Sequence, residues 1–362
     1  MKTTLDKLSD GRDLFYFDDA SSKLPAQRRK DTRIPAERPP VAQMRLDSLT
    51  GEWVSIAAAR QNRAFLPPAH LCPLCPTTPD NLSELPDTFD VAVFENKSPS
   101  FGPSLLAVDD ASYAVVPNLE LGSVRDSVGR CEVVVFSPEH NGSLASQTTE
   151  RVRTIIEAWT HRTEHLQTLS GVRQVFPFEN RGQEIGVTLH HPHGQIYAYP
   201  YVTPRTTRLL DSIARFGDDL HAQTLAFEQA SERLLLRSDN FSAYVPFAAR
   251  WPLEVHLLPH RQVNNFVDLT DDERDELASV YHRLLKAWDA IYETPTPYIS
   301  AWHQAPLIEG GKNVRLQLQL TSPRRAADKL KYLAGSESAM GAFIADLPPE
   351  TVAGVLRDAL EK

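Results

Sequence analysis

The densest group of reactive side chains in this sequence is the stretch Gly186-Val-Thr188-Leu-His190-His191-Pro192-His193-Gly194-Gln195-Ile-Tyr197. Pro192 fixes its own φ and restricts His191 to extended conformations. Residues two apart in an extended chain project to the same face, so the imidazoles of His191 and His193 can serve one site. Gln195 follows on that face. A single histidine is usually a surface or core residue, but the neighbouring Pro and Gly-Gln favour a functional pair here.

Two of the three cysteines form the motif Cys72-Pro-Leu-Cys75, which has the spacing of a metal knuckle. A redox motif would need a helix start in a βαβ unit, whereas the flanking prolines predict a loop. Two further ligands are required, and the candidates are His140 and one histidine of the HPH run. Such a Cys2His2 set is closed and therefore structural. Cys131 is left over and is predicted to be a small buried apolar residue.

The chain also contains a faint internal repeat. The segment EVVVFSP at 132–138 resembles EVHLLP at 254–259, and each is followed by a helix-start signal, TTE at 148–150 and TDDE at 270–273. Apolar residues with helical spacing then predict one helix in each copy, beginning near Val152 and near Leu277.

Two strands are predicted after each of these helices. The run VRLQLQL alternates apolar and polar residues with period two, as half-buried strands do. The predicted strands cover 174–178, 187–199, 298–302 and 314–320. Two similar strand–helix–strand–strand halves predict an α+β protein with a largely antiparallel sheet. Residues 1–40 are polar and rich in proline and charge, and we expect an arm without a core of its own.

Composition excludes several functional classes. The 362 residues contain 38 Lys and Arg against 47 Asp and Glu, a net charge of −9, which argues against nucleic-acid or anionic-membrane partners. No apolar run approaches the roughly 18 residues of a membrane-spanning helix, and the N-terminus lacks a signal-peptide pattern. Three cysteines cannot form a disulfide framework, so we expect a cytoplasmic location. No glycine-rich phosphate loop occurs, so side chains must hold any phosphate.

The motif HPHGQ, preceded by FENRGxxxGxT, with an upstream CPxC and an SPxH between them, resembles the galactose-1-phosphate uridylyltransferase family of the histidine-triad superfamily. The resemblance extends from about Arg45 to near the C-terminus. It implies two fused histidine-triad-like halves, here an arm at 1–40, a first half at 41–200 with the metal site and the nucleophile, and a degenerate second half at 201–362.

The resemblance also implies a reaction and its central residues. His193 matches the nucleophile, which would take the uridylyl group of UDP-glucose and pass it to galactose 1-phosphate in a ping-pong reaction. A neutral imidazole is a good nucleophile near pH 7. Gln195 can donate its amide to a phosphoryl oxygen. One structural zinc ion is implied, with His191 as a ligand beside Cys72, Cys75 and His140, while His190 has no counterpart in the family pattern.

Substrate-binding residues follow by the same matching. The positions near the phosphates and the nucleotide are Arg60, Arg63, Asn96, Asn180, Gly186 and Thr188. Lys331, Tyr332 and Glu337 match a segment that, in the family, contacts the hexose of the neighbouring subunit, so a homodimer is implied. Lys97 stands where an acidic residue is expected, and Ser336 stands where the family has Tyr.

A second metal site, iron or zinc, is predicted to be absent. The family pattern places two histidines on a strand that here reads Leu316-Gln317-Leu318-Gln319-Leu320, although His303 is retained. Neutral amides are poor ligands for a transition metal. The repeat aligns Gln317 and Gln319 with His191 and His193, so the second half is expected to lack a nucleophile.

Three other functions compete with this interpretation. An adenylyl-transferring phosphorylase acting on ADP-glucose or diadenosine polyphosphate would keep the His193 chemistry, and the differences at Lys97 and Ser336 leave it open. A histidine-triad hydrolase would release UMP without an acceptor, which the long two-halved chain disfavours. A zinc-stabilised binding module is disfavoured by the acidic charge and by the lack of a basic-aromatic stretch.

Overall fold

The computed structural model describes residues 2–35, 37–62, 65–102 and 120–362. Its strands are β1 (Lys2–Lys7), β2 (Asp13–Asp18), β3 (Gln43–Asp47), β4 (Glu52–Ile56), β5 (Val91–Glu95), β6 (Val124–Asp126), β7 (Arg130–Val135), β8 (Gln174–Arg181), β9 (His193–Tyr199), β10 (Leu234–Arg237), β11 (Phe241–Tyr244), β12 (Leu253–Pro259), β13 (Tyr298–His303), β14 (Gln317–Ser322), β15 (Arg324–Ala326) and β16 (Lys329–Leu330). Its α-helices are α1 (Thr149–Gln167), α2 (Pro204–Phe216), α3 (Leu220–Gln229), α4 (Asp271–Asp289), α5 (Gly335–Met340) and α6 (Pro349–Leu360).

One antiparallel sheet organises the fold. Among the described residues it has eleven strands, in the order β1-β2-β5-β7-β9-β8-β13-β14-β12-β11-β10. Outward from the central β8–β13 pair, one side runs β8-β9-β7-β5-β2 and the other runs β13-β14-β12-β11-β10. In each half, the first strand after the long helix, β8 or β13, therefore lies innermost in the sheet. The predicted α+β class, with two similar halves and a mainly antiparallel sheet, is confirmed.

The helices α1 and α4 cover one face of the sheet, which we call the helix face. Each has 19 residues and begins after a threonine, Thr148 or Thr270, whose side chain accepts a hydrogen bond from the first turn. Both helices bury the apolar positions that the periodicity predicted, including Trp159 and Trp288, in one core. None of the described helices combines the length and apolar character needed to cross a lipid bilayer.

Side chains on the central strands alternate between this core and the opposite face, which we call the site face. On β9, Ile196 and Ala198 join the core, so His193 and Gln195 point to the site face. On β14, Leu318 and Leu320 join the core in the same way. Gln317 and Gln319 therefore share the site face with His193.

The N-terminal residues differ from the expected arm. Strand β2 pairs with β5 along Leu14 to Phe17 and is the second strand of the main sheet. Phe15 and Phe17 are buried in the main core. The run DLFYFD lies alone among polar residues, and beyond its hairpin with β1 its partner β5 lies more than seventy residues away. Residues 2–18 thus complete the sheet rather than extend from it.

Two boundaries and one alignment also differ. The second strand of each half begins late, at His193 rather than Val187 and at Gln317 rather than Val314, partly because Pro192 has no N–H for the ladder. The segments containing Glu132 and Glu254 do lie on equivalent strands. However, Glu132 contacts Arg162 of α1 on the helix face, while Glu254 bonds Gln319 on the site face. Between the equivalent strands of the two halves, these two segments are therefore shifted relative to each other by an odd number of residues.

Candidate active site and metal centre

Four predicted ligands converge beside the start of β9. Cys75 Sγ lies 3.4 Å from His191 Nδ1 and 3.5 Å from His140 Nδ1, and Cys72 Sγ lies 3.7 Å from His191 Nδ1. All four ligand atoms lie within 4.8 Å of one another. Ideal bond lengths around a tetrahedral ion separate sulfur and nitrogen ligands by about 3.6 Å. The cluster can therefore hold a metal ion without rearrangement.

The surroundings of the cluster suit a cation. His191 Nε2 lies 2.8 Å from the Ser137 carbonyl and donates to it, which leaves Nδ1 free as a ligand. The backbone N–H of Leu74 donates to Cys72 Sγ at 3.4 Å. Burial, followed by the neighbouring Cys72, raises the pKa of the Cys75 thiol to about 12. A bound cation reverses this effect, because it stabilises both thiolates.

His193 has a different environment from His191. It is half-buried at the first position of β9, and its Nδ1 lies 2.7 Å from the His191 carbonyl. Nδ1 is consequently the protonated nitrogen, and Nε2 retains its lone pair. Burial lowers the pKa of His193, against the opposing effect of this hydrogen bond. The imidazole is therefore held neutral, with one nitrogen available as a nucleophile.

Gly194 allows His193 and Gln195 to approach the neighbouring strand closely. A Cβ at position 194 would lie 2.8 Å from the Phe136 ring and 2.9 Å from the Phe178 carbonyl oxygen. Neither separation is tolerable, since real Cβ contacts are longer. The glycine of the HPHGQ motif is thus required by packing on the helix face.

A cleft of about 180 Å³ opens beside His193. Six predicted residues line it together: Arg60, Asn180, Gly186, Thr188, His193 and Gln195. Strands β8 and β9 supply its floor. The wall between them is a loop that turns at Gly186 with φ of +81°, a conformation that favours glycine.

The remaining predicted binding residues do not join this cleft. Asn96 lies at the end of β5, and its side-chain oxygen accepts from the Ser98 N–H at 2.9 Å. Lys331 and Glu337 form a buried ion pair at 2.7 Å. Tyr332 is exposed and lines another pocket beside Ile185. Arg63 lies outside the described residues.

Two aromatic residues of the cleft were not predicted. Phe178 and Tyr197 line it, with ring centroids 5.0 Å apart in an edge-to-face contact. Tyr197 hydrogen-bonds Arg60, which holds that guanidinium at the cleft. The sequence did contain a signal for them. Phe178 is two residues from Asn180 and Tyr197 is two residues from Gln195, so each pair shares one face of its strand.

The corresponding part of the second half contains a chain of hydrogen bonds. Gln317 Nε2 donates to His256 Nδ1 at 2.8 Å, and His256 Nε2 donates to Glu254 at 3.0 Å. Gln319 donates to the same carboxylate at 2.8 Å and accepts from His303 Nε2 at 3.3 Å. Both glutamine amides therefore act as donors at a carboxylate–imidazole network.

Two adjoining family models together cover most of the chain. Residues 35–203 match the family model of the galactose-1-phosphate uridyl transferase N-terminal domain, and residues 207–358 match its C-terminal domain. A galactose-1-phosphate uridylyltransferase from Streptomyces lividans is 39% identical over 389 aligned positions, covering 100% of this chain and 99% of the relative.

Solved structures resemble the fold. A uridylyltransferase structure superposes with a TM-score of 0.76 at 30% identity, covering 88% of this chain and 98% of that one. An ADP-glucose phosphorylase from Arabidopsis thaliana, with bound ADP-glucose, superposes with a TM-score of 0.65 at 23% identity, over 88% and 99% of the two chains. At that identity the second likeness concerns the fold alone. The chain belongs to the galactose-1-phosphate uridylyltransferase family.

Proposed function

We propose that the protein transfers the uridylyl group of UDP-glucose to galactose 1-phosphate through a covalent adduct on His193. The observation that supports this most strongly is the 2.7 Å hydrogen bond from His193 Nδ1 to the His191 carbonyl. It leaves Nε2 as a neutral nucleophile within a cleft that also contains a guanidinium and two amides. Family membership supports the same reaction.

In the first step, the Nε2 lone pair forms a bond to the α-phosphorus of UDP-glucose. The bond from that phosphorus to the bridging oxygen breaks, and glucose 1-phosphate leaves with the electron pair. The imidazole becomes positively charged while Nδ1 keeps its proton. The His191 carbonyl stabilises this charge because its dipole already points at Nδ1–H.

In the second step, a phosphate oxygen of galactose 1-phosphate attacks the same phosphorus. The bond to Nε2 breaks, His193 regains its lone pair, and UDP-galactose leaves. No proton has to leave Nδ1 in either step. The ring orientation set by the His191 carbonyl therefore serves both half-reactions.

The other residues of the cleft bind and orient the phosphates and the nucleotide. Arg60 suits a bidentate contact to phosphate oxygens, and its bond to Tyr197 restricts its rotamers. The Gln195 amide is a donor for a phosphoryl oxygen as charge develops. Asn180, Gly186 and Thr188 contact the nucleotide. By the family resemblance alone, Asn96 is assigned to the uridine and Arg63 to the phosphates.

We assign Zn²⁺ to the metal centre, because two thiolates and two imidazoles are the donor set of closed structural zinc sites. Held by Cys72, Cys75, His140 and His191, the ion supplies a rigid cross-link between the proline-rich loop and the strand start. His191 then presents its carbonyl to His193 at a fixed position.

The second half, 201–362, is a degenerate partner of the first half, 41–200, and has neither nucleophile nor second metal. Gln317 and Gln319, whose amides donate to the Glu254–His256 pair, support this part of the proposal. Chemistry is confined to the first half.

A homodimer is part of the proposal. Lys331, Tyr332 and Glu337 match the family's hexose-binding segment, yet within one chain they do not line the His193 cleft. A second copy would have to bring that segment to the cleft.

The proposed location is the cytoplasm. Three free cysteines, one of them the buried Cys131, suit a reducing cytoplasm.

A product assay tests the proposed reaction. The zinc-loaded protein is incubated with UDP-glucose and galactose 1-phosphate, and UDP-galactose is quantified. We expect equal amounts of UDP-galactose and glucose 1-phosphate, with galactose 1-phosphate required. Turnover of ADP-glucose with phosphate, without turnover of UDP-glucose, would contradict the proposal and support the adenylyl-transferring phosphorylase. Free UMP without an acceptor would support a hydrolase.

A further inference from the structure

The second half has a cleft of its own on the site face. It has a volume of about 900 Å³, within the range of small-molecule sites, and its floor is formed by side chains of β12, β13 and β14. These strands are the counterparts of β7, β8 and β9, which position the His193 cleft. We call it the second cleft.

The charge lining the second cleft is positive and partly uncompensated. Four arginines, Arg205, Arg208, Arg250 and Arg315, face two glutamates, Glu228 and Glu254. Both carboxylates have committed partners, since Glu228 pairs with Arg233 at 2.6 Å and Glu254 accepts from Gln319 at 2.8 Å. Arg233 compensates the charge of Glu228, which leaves the carboxylate of Glu254 to face the four arginines.

Two of these guanidinium groups lack a polar partner. Within the described part of the chain, neither Arg205 nor Arg250 makes a side-chain hydrogen bond or ion pair, and Arg250 lies over the Phe343 ring at 5.1 Å. Surrounding protein atoms, and next the like charge of Arg250, lower the pKa of Arg205, against the effect of Glu254. Among the described residues, the Glu254 carboxylate accepts from the Arg250 backbone N–H at 2.7 Å and forms an ion pair with neither guanidinium group, so a bound anion would stabilise both cations.

A buried histidine supplies an independent observation. His221 on α3 lines the cleft and is only 7% exposed, and its Nε2 has no hydrogen-bond partner among the described residues. An unpaired buried nitrogen costs free energy unless a ligand or water pairs with it. Among the described residues of this cleft, His221 Nε2 therefore lacks a hydrogen-bond partner, as the guanidinium groups of Arg205 and Arg250 do.

Aromatic surface completes the site. Phe227 and Phe247 line the cleft with 54% and 63% of their surface exposed, which is high for phenylalanine. Their rings meet edge to face with centroids 5.7 Å apart. A flat heterocycle would cover such rings, as bases cover aromatic residues elsewhere.

We propose that the second cleft binds a mononucleotide without transferring it, with the phosphate between Arg205 and Arg250 and the base against Phe227 and Phe247. The histidines on the strands of this cleft are engaged, and the unpaired Nε2 of His221 belongs to a side chain that is only 7% exposed. Both nitrogens of His256 are engaged by Gln317 and Glu254, and His303 Nε2 is engaged by Gln319. Ligand in this cleft would therefore bind and leave unchanged.

Hydrogen exchange with and without UMP tests the proposal in the zinc-loaded full chain. UMP has no leaving group for His193, so no transfer occurs. We expect slower exchange in peptides spanning α2 and α3, in addition to any change near β9. Arg205→Ala should abolish the α2–α3 protection and weaken that binding roughly tenfold or more, with uridylyl transfer unchanged. Arg215→Ala, an exposed arginine on the same helix that does not line the cleft, is the matched control.

Three results would overturn the assignment. They are no protection of α2 and α3, protection that persists in Arg205→Ala, and equal protection by inorganic phosphate at the same concentration, which would mean that the base is not recognised. Protection confined to α2 and α3, absent near β9, would support the second cleft while counting against the proposed uridylyl transfer.

Discussion

His191 and His193 are two residues apart and have opposite tasks. His191 donates through Nε2 and offers Nδ1 to the metal cluster, while His193 donates through Nδ1 and keeps Nε2 for chemistry. The carbonyl of the first residue fixes the tautomer of the second. Pro192 keeps His191 extended, with the His191 carbonyl 2.7 Å from Nδ1 of His193.

Substitution at the metal centre separates folding from chemistry. Cys72 is 1% exposed and is one of the four residues of the cluster. We expect Cys72→Ser to lose most of its zinc and to lower the free energy of unfolding by more than about 3 kcal/mol, because the cross-link is lost. Zinc content by atomic absorption and unfolding in urea are the measurements.

The neighbouring His190 provides the control for that experiment. It is exposed and has no place in the cluster. His190→Ala should retain zinc and change stability by less than about 0.5 kcal/mol. Equal zinc loss in the two variants would contradict the assignment of Cys72, and not His190, as a zinc ligand.

The sequence predicted the residues of the first cleft better than those of the hexose segment. His193, Gln195 and Thr188 are close in the chain, so local motifs could identify them. Lys331 and Glu337 were matched by motif too, but their mutual ion pair and the position of Tyr332 depend on the fold of 331–344 and on a second chain. Local sequence contains neither.

At the scale of elements, the β8–β13 pair joins the two halves and buries a carboxyl group. Glu179 lies opposite Ser300, is fully buried, and accepts from the Tyr298 hydroxyl at 2.9 Å. Burial raises the pKa of Glu179 from 4.5 to about 8, more than Tyr298 and Arg181 lower it. The folded chain therefore holds this proton more tightly than the unfolded chain does.

This pKa predicts a pH dependence of stability. The contribution of Glu179 is fully present below about pH 4.5 and is lost as pH rises through about 8, at up to about 1.4 kcal/mol per pH unit. Glu179→Gln keeps the acceptor and removes the titration. Urea unfolding at about pH 5 and about pH 8 should show the variant gaining stability relative to the parent at the higher pH.

An exposed glutamate provides the matched comparison. Glu164→Gln on α1 should change stability equally at both pH values, because that side chain is exposed. A free energy of unfolding that differs by the same amount between the parent and Glu179→Gln at both pH values would show that Glu179 ionises normally in the folded protein.

Helix positions were predictable from the sequence and strand starts were not. The 19-residue helices α1 and α4 can be recognised by a threonine at the N-cap and by apolar residues that repeat at helical spacing. Strand β9 begins at His193, directly after Pro192, which has no N–H for the ladder. The odd offset between Glu132 and Glu254 was not predictable either, since a one-residue difference moves every side chain to the other face.

At the scale of the whole molecule, the N-terminal hairpin is part of the core. Phe17 of β2 is fully buried, whereas Leu5 of β1 is 58% exposed. Phe17→Ala should lower the free energy of unfolding by about 3–5 kcal/mol, and Leu5→Ala by less than about 0.5 kcal/mol. Urea unfolding followed by circular dichroism measures both, and equal effects would place residues 2–18 outside the cooperative unit.

The pairing of β2 with β5 could not be predicted from composition. The first forty residues are polar overall, and the run LFYF is the longest apolar stretch among them. Its partner is fixed by a contact distant in sequence, and the ion pairs that hold the following loop, such as Arg28 with Asp18, also form only in the folded chain. By contrast, the two-halved organisation was visible because the repeat leaves a pattern in both copies.

In the proposed account, the two halves give one reactive cleft and one that only binds. In the first, a histidine with a free Nε2 faces Arg60; in the second, amides of Gln317 and Gln319 occupy the network that faces Arg205. This asymmetry makes a single covalent adduct per chain the central expectation.

The adduct itself is the most direct measurement. Zinc-loaded protein is incubated with UDP-glucose alone and analysed by intact mass and by peptide mapping. The account predicts one uridylyl group per chain, located on the peptide containing His193, with an equal amount of glucose 1-phosphate released. His193→Asn should keep zinc and form none. A chain that turns over UDP-glucose without any adduct, or with the adduct on another residue, would contradict it.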